Sequence, residues 1–204
     1  HCNNTPCSSA EINSVDTTVD VGQYSAIAIG NDGLPLISYY DSTNGDLKVA
    51  HYSNVICSAT NSVETLDSTG DVGKQTSIAI GVDGRGIISY YDASNKDLKV
   101  AHCENVSCTT ATITGVVTNG GIGDWNSITI GADGQGIISY YDEFNGELNV
   151  AHCVNIACTE ATSNVVDSSA VVGIHTAITI GADGLPLVIY QDVTSGNLKS
   201  AHCS

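Results

Sequence analysis

The sequence predicts an all-β fold, a four-bladed β-propeller built from four-stranded antiparallel meanders, and three observations predict it. A fifteen-residue stretch from Ile128 to Asp142, ITIGADGQGIISYYD, recurs with small changes from Ile27, Ile78 and Ile178. The markers Ala50-His51, Ala101-His102, Ala151-His152 and Ala201-His202 set a period of 50 or 51 residues that consumes the whole chain. Val, Ile, Thr and Tyr fill the apolar runs and 21 of 204 residues are Gly, a composition that suits strands and tight turns rather than helices. An open array or solenoid of the same blades is the alternative arrangement.

Each element follows from local pattern, and the third copy serves as the example. Trp125 to Gly131 reads as a strand in which Ile128 and Ile130 share one face and small residues take the other, a division also made by the isoleucines at 27 and 29, 78 and 80, and 178 and 180. Asp133-Gly134 tolerates positive φ at a hairpin reversal, as do Asp32-Gly33, Asp83-Gly84 and Asp183-Gly184. A second strand, Gly136 to Asp142, ends in Tyr-Tyr-Asp, and a polar turn leads to a third, Glu147 to Cys153. After the loop 154–157 a fourth strand runs near Cys158 to Asp167. Four meandering strands per repeat of this length make a propeller blade.

No linker or composition shift divides the chain, so residues 1–204 read as a single repeat domain with repeats at about 1–50, 51–101, 102–151 and 152–201. The chain starts with His1-Cys2 and stops at His202-Cys203-Ser204, both inside the same motif. The last blade therefore lacks a fourth strand, while an unattached one lies near Cys7 to Asp16. It is expected to complete that blade, either in the same chain, closing the ring, or in another copy, giving a homo-oligomer or filament.

Eight cysteines follow the repeat. Cys2 and Cys7, Cys103 and Cys108, and Cys153 and Cys158 are each separated by four residues, which suits a bridge across a hairpin loop better than a zinc knuckle. Tyr52 stands where a partner for Cys57 belongs, and Cys203 ends the chain without one. One scheme pairs Cys2 with Cys7 and leaves Cys57 and Cys203. The other pairs Cys7 with Cys203 across the ring seam and Cys2 with Cys57, and it is preferred because it copies the hairpin bridge. Disulfides imply a secreted, extracellular or cell-surface setting. Asn3 and Asn105 open glycosylation sequons. A net charge of −16 opposes nucleic acid and anionic membranes, and no apolar run is long enough for a membrane helix, so no membrane insertion is expected.

The pattern Ser-Ile-Ala-Ile-Gly-x-Asp-Gly, Ile-Ser-Tyr-Tyr-Asp and Leu-Lys-Val-Ala-His-Cys resembles tandem repeats of uncharacterised secreted bacterial proteins, and these are similar to the β-propeller repeats of sialidase Asp-box blades. The resemblance covers essentially the full length and implies propeller blades. The Asp-box pattern itself, Ser-x-Asp-x-Gly-x-x-Trp, is not matched.

Three residue sets are candidate sites. The repeated histidines His51, His102, His152 and His202 sit on the third strand of separate blades, too far apart to share one ion, and read as hydrogen-bonded structural residues. Asp41, Asp46, Asp92, Asp97, Asp142, Glu147 and Asp192, with Asn197, flank the polar turns; they read as caps of turn amides, with calcium as the alternative and no other cofactor expected. Just before the first strand the copies disagree: Tyr24, Gln75, Trp125 and His175 align, preceded by Gln23, Lys74, Asp124 and Ile174. In a closed ring they would gather at one mouth of the channel, where aromatic faces beside polar groups make a glycan or small-ligand site; exposed loop positions that vary freely are the reading set first, and the site is the candidate beside it.

Arg85 is the one arginine, against the several that a sialidase-type site needs, and no nucleophile elbow, phosphate loop or metalloprotease motif is present. The expectation is therefore a non-enzymatic extracellular structural or adhesive module, self-assembling through its ends. A lectin-like, carbohydrate-binding propeller using the channel mouth is the alternative.

Overall fold

A computed structural model describes residues 1–118 and 121–203, apart from the side chain of Asn61. Among the described residues fifteen strands form four sheets, each a meander in chain order. Blade 1 holds β1 (Val21–Ile29), β2 (Pro35–Asp41), β3 (Asp46–Tyr52) and β4 (Thr60–Asp67). Blade 2 holds β5 (Val72–Ile80), β6 (Gly86–Asp92), β7 (Asp97–Cys103) and β8 (Ala111–Val117). Blade 3 holds β9 (Ile122–Ile130), β10 (Gly136–Asp142), β11 (Glu147–Cys153) and β12 (Ala161–Asp167), and blade 4 holds β13 (Val172–Ile180), β14 (Pro186–Asp192) and β15 (Asn197–His202). The predicted all-β blades are what the chain adopts; in the third copy the second and third strands match the expected bounds, while the first starts earlier, at Ile122 rather than Trp125, and the fourth later, at Ala161 rather than near Cys158.

The turns form as their residues dictate. At the first reversal Gly30 N–H donates to the Leu34 carbonyl, and the Asp32 carboxylate accepts from the Leu34 amide at 3.0 Å. At the second, Asp41, Asp92, Asp142 and Asp192 accept from turn amides two or three residues on, among them Asn44 at 3.2 Å, Asn95 at 2.9 Å, Asn145 at 3.0 Å and Ser195 at 3.0 Å. These short Asx caps replace the backbone partners that a tight turn leaves open.

Successive blades pack through one repeated contact. Leu47, Leu98 and Leu148 are fully buried, and a glycine from the next blade lies over each: a Cβ built on Gly73, Gly123 or Gly173 would fall 2.6 to 2.8 Å from the leucine Cα. Only a residue without a side chain permits that approach, and all three glycines also hold positive φ. Hydroxyl and amide pairs stitch the same interface, Thr76 to Ser38 at 2.6 Å, Ser89 to Asn126 at 2.5 Å and Thr176 to Ser139 at 2.9 Å, all buried. The apolar cores lie between blades, with Val49, Val72 and Tyr90 in one, Val100, Ile122 and Tyr140 in the next, and Val150, Val172 and Tyr190 in the third.

That interface is not made a fourth time between blades 4 and 1. Leu198, the counterpart of Leu47, is 77% exposed, and nothing lies within 4 Å of where a Cβ on Gly22 would stand. Ile27 is 62% exposed where Ile128 and Ile178 are 6% and 9% exposed. Ile189 replaces the serine that a Thr76-type partner would meet, so the polar stitch has no acceptor there.

At the ends the structure departs from closure within the same chain and from the preferred disulfide scheme. Blade 4 has three strands, and residues 7–16 of the same chain do not join it. The N-terminal segment instead lies on blade 1: Asn13 donates to the Cys57 carbonyl at 3.2 Å, Asp16 accepts from Tyr39 at 2.8 Å, and Ser42 donates to the Asp20 carbonyl at 2.8 Å. Asp16 stands toward blade 1 as Asp67 of blade 1 stands toward blade 2, so the segment supplies the last-strand contact that blade 1 would otherwise lack. The preferred disulfide scheme also fails: Cys2 bonds Cys7, as Cys103 bonds Cys108 and Cys153 bonds Cys158, while Cys57 and Cys203 are free thiols. The hairpin explains it, because a left-handed second cysteine brings the two Cα atoms of each pair within 4.8 or 4.9 Å without help from another blade.

Candidate functional site

At the Asp-Gly end of each blade the third-strand histidine bonds its own hairpin turn. His51 Nε2 lies 2.9 Å from Asp32, His102 3.0 Å from Asp83, His152 2.9 Å from Asp133 and His202 2.8 Å from Asp183. The histidines are four separate structural pairs. The turn carboxylates at the opposite end are committed as caps, and Asp46, Asp97, Glu147 and Asn197 are the cross-strand neighbours of Asp41, Asp92, Asp142 and Asp192. Among the described residues no group of three or more acidic, His or Cys side chains is arranged to hold a metal. Asn105, in its sequon, donates from its amide to Thr109 Oγ1, just past the disulfide loop, at 2.7 Å, whereas Asn3 is exposed.

The positions where the copies disagree share one unusual backbone state. Tyr24, Gln75, Trp125 and His175 have φ of 53°, 53°, 50° and 52°, left-handed values that side chains other than Gly adopt at a cost of about 1 kcal/mol or more. Each lies at a register shift in the innermost strand, where a bulge turns the side chain out of the sheet's alternation. The glycine two positions earlier, locked over the preceding blade's leucine in blades 2 to 4, fixes the approach to the bulge.

Three of the four come together. The Trp125 and His175 rings lie 3.8 Å apart between centroids, tilted by 59°. Beside them the Asp124 carboxylate accepts from the Trp125 amide at 2.9 Å and from the Gln75 side chain. Burial pushes the Asp124 carboxyl above the ordinary aspartate range; these hydrogen bonds and the neighbouring His175 act against it, while Glu143 adds a like charge that raises it further. Tyr24 stands apart, 42% exposed, with its ring 6.0 Å from that of Tyr40. Around Tyr40, the hydroxyl donates to Asp71 at 2.6 Å and Lys74 reaches the same carboxylate at 2.5 Å.

The structure brings Gln75, Trp125 and His175 around Asp124, leaves Tyr24 apart, and adds Glu143, which the sequence reading left out. Glu143 follows the turn aspartate Asp142 and has no acidic counterpart in the other copies, which carry Ser42, Ala93 and Val193. That departure from the repeat is the signal that points to it. Chemically, the arrangement offers an aromatic face, amide and imidazole groups, and two carboxyl groups in unlike surroundings.

No family model matches the sequence, and no curated protein sequence matches it. Solved structures do share the fold. An exo-β-1,3-galactanase from Phanerochaete chrysosporium superposes over 96% of this chain and 52% of its own, with a TM-score of 0.62 at 10% identity. The endo-arabinase of Bacteroides thetaiotaomicron matches over 92% of this chain and 77% of its own, with a TM-score of 0.53 at 12% identity. The NanB sialidase of Streptococcus pneumoniae matches over 81% and 27%, with a TM-score of 0.56 at 13% identity. The chain spans about half the length of the galactanase. The fold is therefore that of glycoside hydrolase and sialidase propellers. The expectation of a non-enzymatic structural or adhesive module is corrected by these neighbours, which are carbohydrate-processing enzymes; the carbohydrate-binding alternative lies closer to them.

Proposed function

We propose that this chain is a carbohydrate-processing propeller that holds its substrate at the end where Gln75, Trp125 and His175 meet. The observation that carries the reading is the Trp125–His175 ring contact beside Asp124, on left-handed bulges that the surrounding blades hold in place. Sugar rings present apolar CH faces to an aromatic plane and hydroxyls to its polar neighbours, which is the combination found here. Asp124, with its raised carboxyl, suits the proton donor of glycosidic cleavage, and Glu143 suits the second carboxylate that such chemistry needs. The likeness to galactanase, arabinase and sialidase propellers supports the substrate class, and the repeat's resemblance to secreted tandem-repeat proteins, with three disulfides, supports action outside the cell.

Isothermal titration with β-1,3-galacto- and arabino-oligosaccharides, alongside an assay of reducing-sugar release, tests this. Binding is expected and should weaken by about tenfold or more in Trp125→Ala. A panel that shows no binding, or binding that Trp125→Ala leaves intact, would overturn the reading.

A further inference from the structure

A second site emerges from comparing the same position in all four blades. In blade 2 the Lys99 ammonium lies 2.5 Å from Asp67, contributed by the last strand of blade 1, and 3.7 Å from the turn carboxylate of Asp92. It also stands 5.7 Å from the centroid of the Tyr90 ring, whose hydroxyl donates to Asp67 at 2.7 Å. Blade 4 repeats this knot with Lys199, Asp167, Asp192 and Tyr190, and blade 1 builds it from Lys48, Asp16 and Tyr39. An ammonium between a carboxylate and a tyrosine face is thus the standard filling of this place.

Blade 3 keeps the frame and lacks the filling. Asn149 takes the lysine position, opposite Tyr140 as Lys99 is opposite Tyr90. Val117 takes the aspartate position, opposite Leu98 as Asp67 is opposite Leu47. Both changes shorten or discharge a side chain, and a cavity of about 390 Å³ opens, lined by Val117, Tyr140, Asp142, Phe144, Asn149 and Ser163. The Tyr140 hydroxyl turns to Ser163 at 2.5 Å instead. Asp142 keeps its turn bonds to Asn145 but has no cation within ion-pair reach among the described residues. Asn149 is only 5% exposed, and its Nδ2 has no hydrogen-bond partner. Such a buried amide normally finds one, and a half-turn about its last bond lets it accept as readily as donate.

We propose that this cavity binds the primary ammonium group of a small external ligand, an alkylamine or amino sugar, in the place that Lys99 and Lys199 fill within the chain. Asp142 supplies the carboxylate, Tyr140 the ring face and Asn149 a hydrogen bond, while the exposed Phe144 at the rim gives the ligand's carbon frame an apolar surface. The cavity uses none of the residues assigned to the Trp125 cluster, and the proposal stands whether or not that reading holds.

Titration calorimetry at pH 7 and low salt, with n-butylammonium, glucosamine and glucose as probes, tests the proposal on the whole chain. At least one amine is expected to bind with Kd on the order of 1 mM, with glucose at least tenfold weaker. The double variant Val117→Asp/Asn149→Lys restores the residues of blade 2, so it should fold and should lose amine binding. Asp142→Asn should weaken it about tenfold or more, and Trp125→Ala should leave it unchanged. Failure of both amines to bind, equal binding of glucose and glucosamine, survival of binding in the double variant, or its loss in Trp125→Ala would each overturn the proposal.

Discussion

The two ends of the inner strands use the same repeat in opposite ways. At the Asp-Gly end all four blades carry the same residues in the same bonds, an aspartate that caps its own hairpin and accepts from a third-strand histidine. At the other end the backbone is just as regular, with φ between 50° and 53° in every blade, yet the side chains are Tyr24, Gln75, Trp125 and His175. Where a side chain holds the fold together, the repeat keeps it. Where the backbone is held from elsewhere, the side chain is free to differ, and a ligand surface can be built from four different residues on one geometry.

If glycine packing on the preceding blade is what holds the bulge end, Gly123 and Gly22 should respond differently to the same change. Gly123→Ala drives a Cβ to 2.7 Å from the Leu98 Cα, a backbone atom that cannot step aside, at a φ of 95°. Overpacking and left-handed strain together are expected to cost on the order of 4 kcal/mol. Gly22→Ala meets nothing within 4 Å and bears only the strain of its φ of 93°, about 1 kcal/mol. Urea unfolding of the two variants checks the difference, and equal losses would show that the interface does not hold the bulge.

The next test concerns the Lys–Asp–Tyr knot between blades. Asp67→Asn leaves Lys99 and Tyr90 with a neutral partner in a largely buried place, and a loss of about 3 kcal/mol is expected at pH 7. Burial acts to raise the Asp67 carboxyl, but its bonds from Lys99, Tyr90 and Thr69 outweigh it and hold the group below the ordinary range. A depressed folded value means stabilisation that is present above the unfolded value near pH 4 and lost as pH falls below it. The gap between wild type and Asp67→Asn should therefore close as pH drops from about 4. In blade 3, where Val117 replaces the aspartate, no such acid-sensitive contact is present among the described residues.

How far this was legible in the sequence depends on which force sets each feature. The strands and both turns follow from alternation and Asp-Gly chemistry within one repeat, and the blade count from the recurrence of that repeat along the chain. The Cys2–Cys7 bridge is local too, and was misassigned because a seam between blades 4 and 1 was assumed to govern it. That seam depends on whether Leu198 and Gly22 meet, a long-range fact that the repeat pattern cannot supply. The left-handed bulge was invisible for a different reason, since Tyr, Gln, Trp and His are not residues that announce positive φ. The knot and its absence in blade 3 needed the pairing of Asp67 with Lys99 across 32 residues and two blades.

A smaller effect separates blade 1 from blade 4 at the Asp-Gly end itself. The His51 side chain is 3% exposed and its partner Asp32 27%, while His202 and Asp183 are 48% and 47% exposed. His51→Ala empties a buried site and leaves Asp32 without its partner, with an expected loss of about 2 kcal/mol. For His202→Ala the loss should be much smaller, because water replaces an exposed pair at little cost. Thermal melts of the two variants compare them directly, and a large loss from His202→Ala would mean that blade 4 is more enclosed than its exposed Leu198 indicates.

The smallest expected change in stability, and the one that bears most on function, is at Asp124. Its raised carboxyl means that the folded state holds the proton more tightly than the unfolded chain does, so stability from this group is full below about pH 4 and declines as pH rises through the folded value. Asp124→Asn removes the buried charge while keeping an oxygen to accept from the Trp125 amide. At pH 7 the variant should be slightly more stable than wild type, by less than about 1 kcal/mol, and the difference should vanish below about pH 4. If Asp124 is the proton donor of a glycosidic cleavage, the same variant should lose activity by about 100-fold or more while oligosaccharide binding persists. A residue at the Asp-Gly end, replaced in the same spirit, should show the reverse: lower stability, and activity lost only in proportion to the fraction unfolded. Denaturation and turnover measured on the same preparation of Asp124→Asn would separate the two behaviours, and a variant that is destabilised without a specific loss of turnover would move Asp124 from the chemistry to the scaffold.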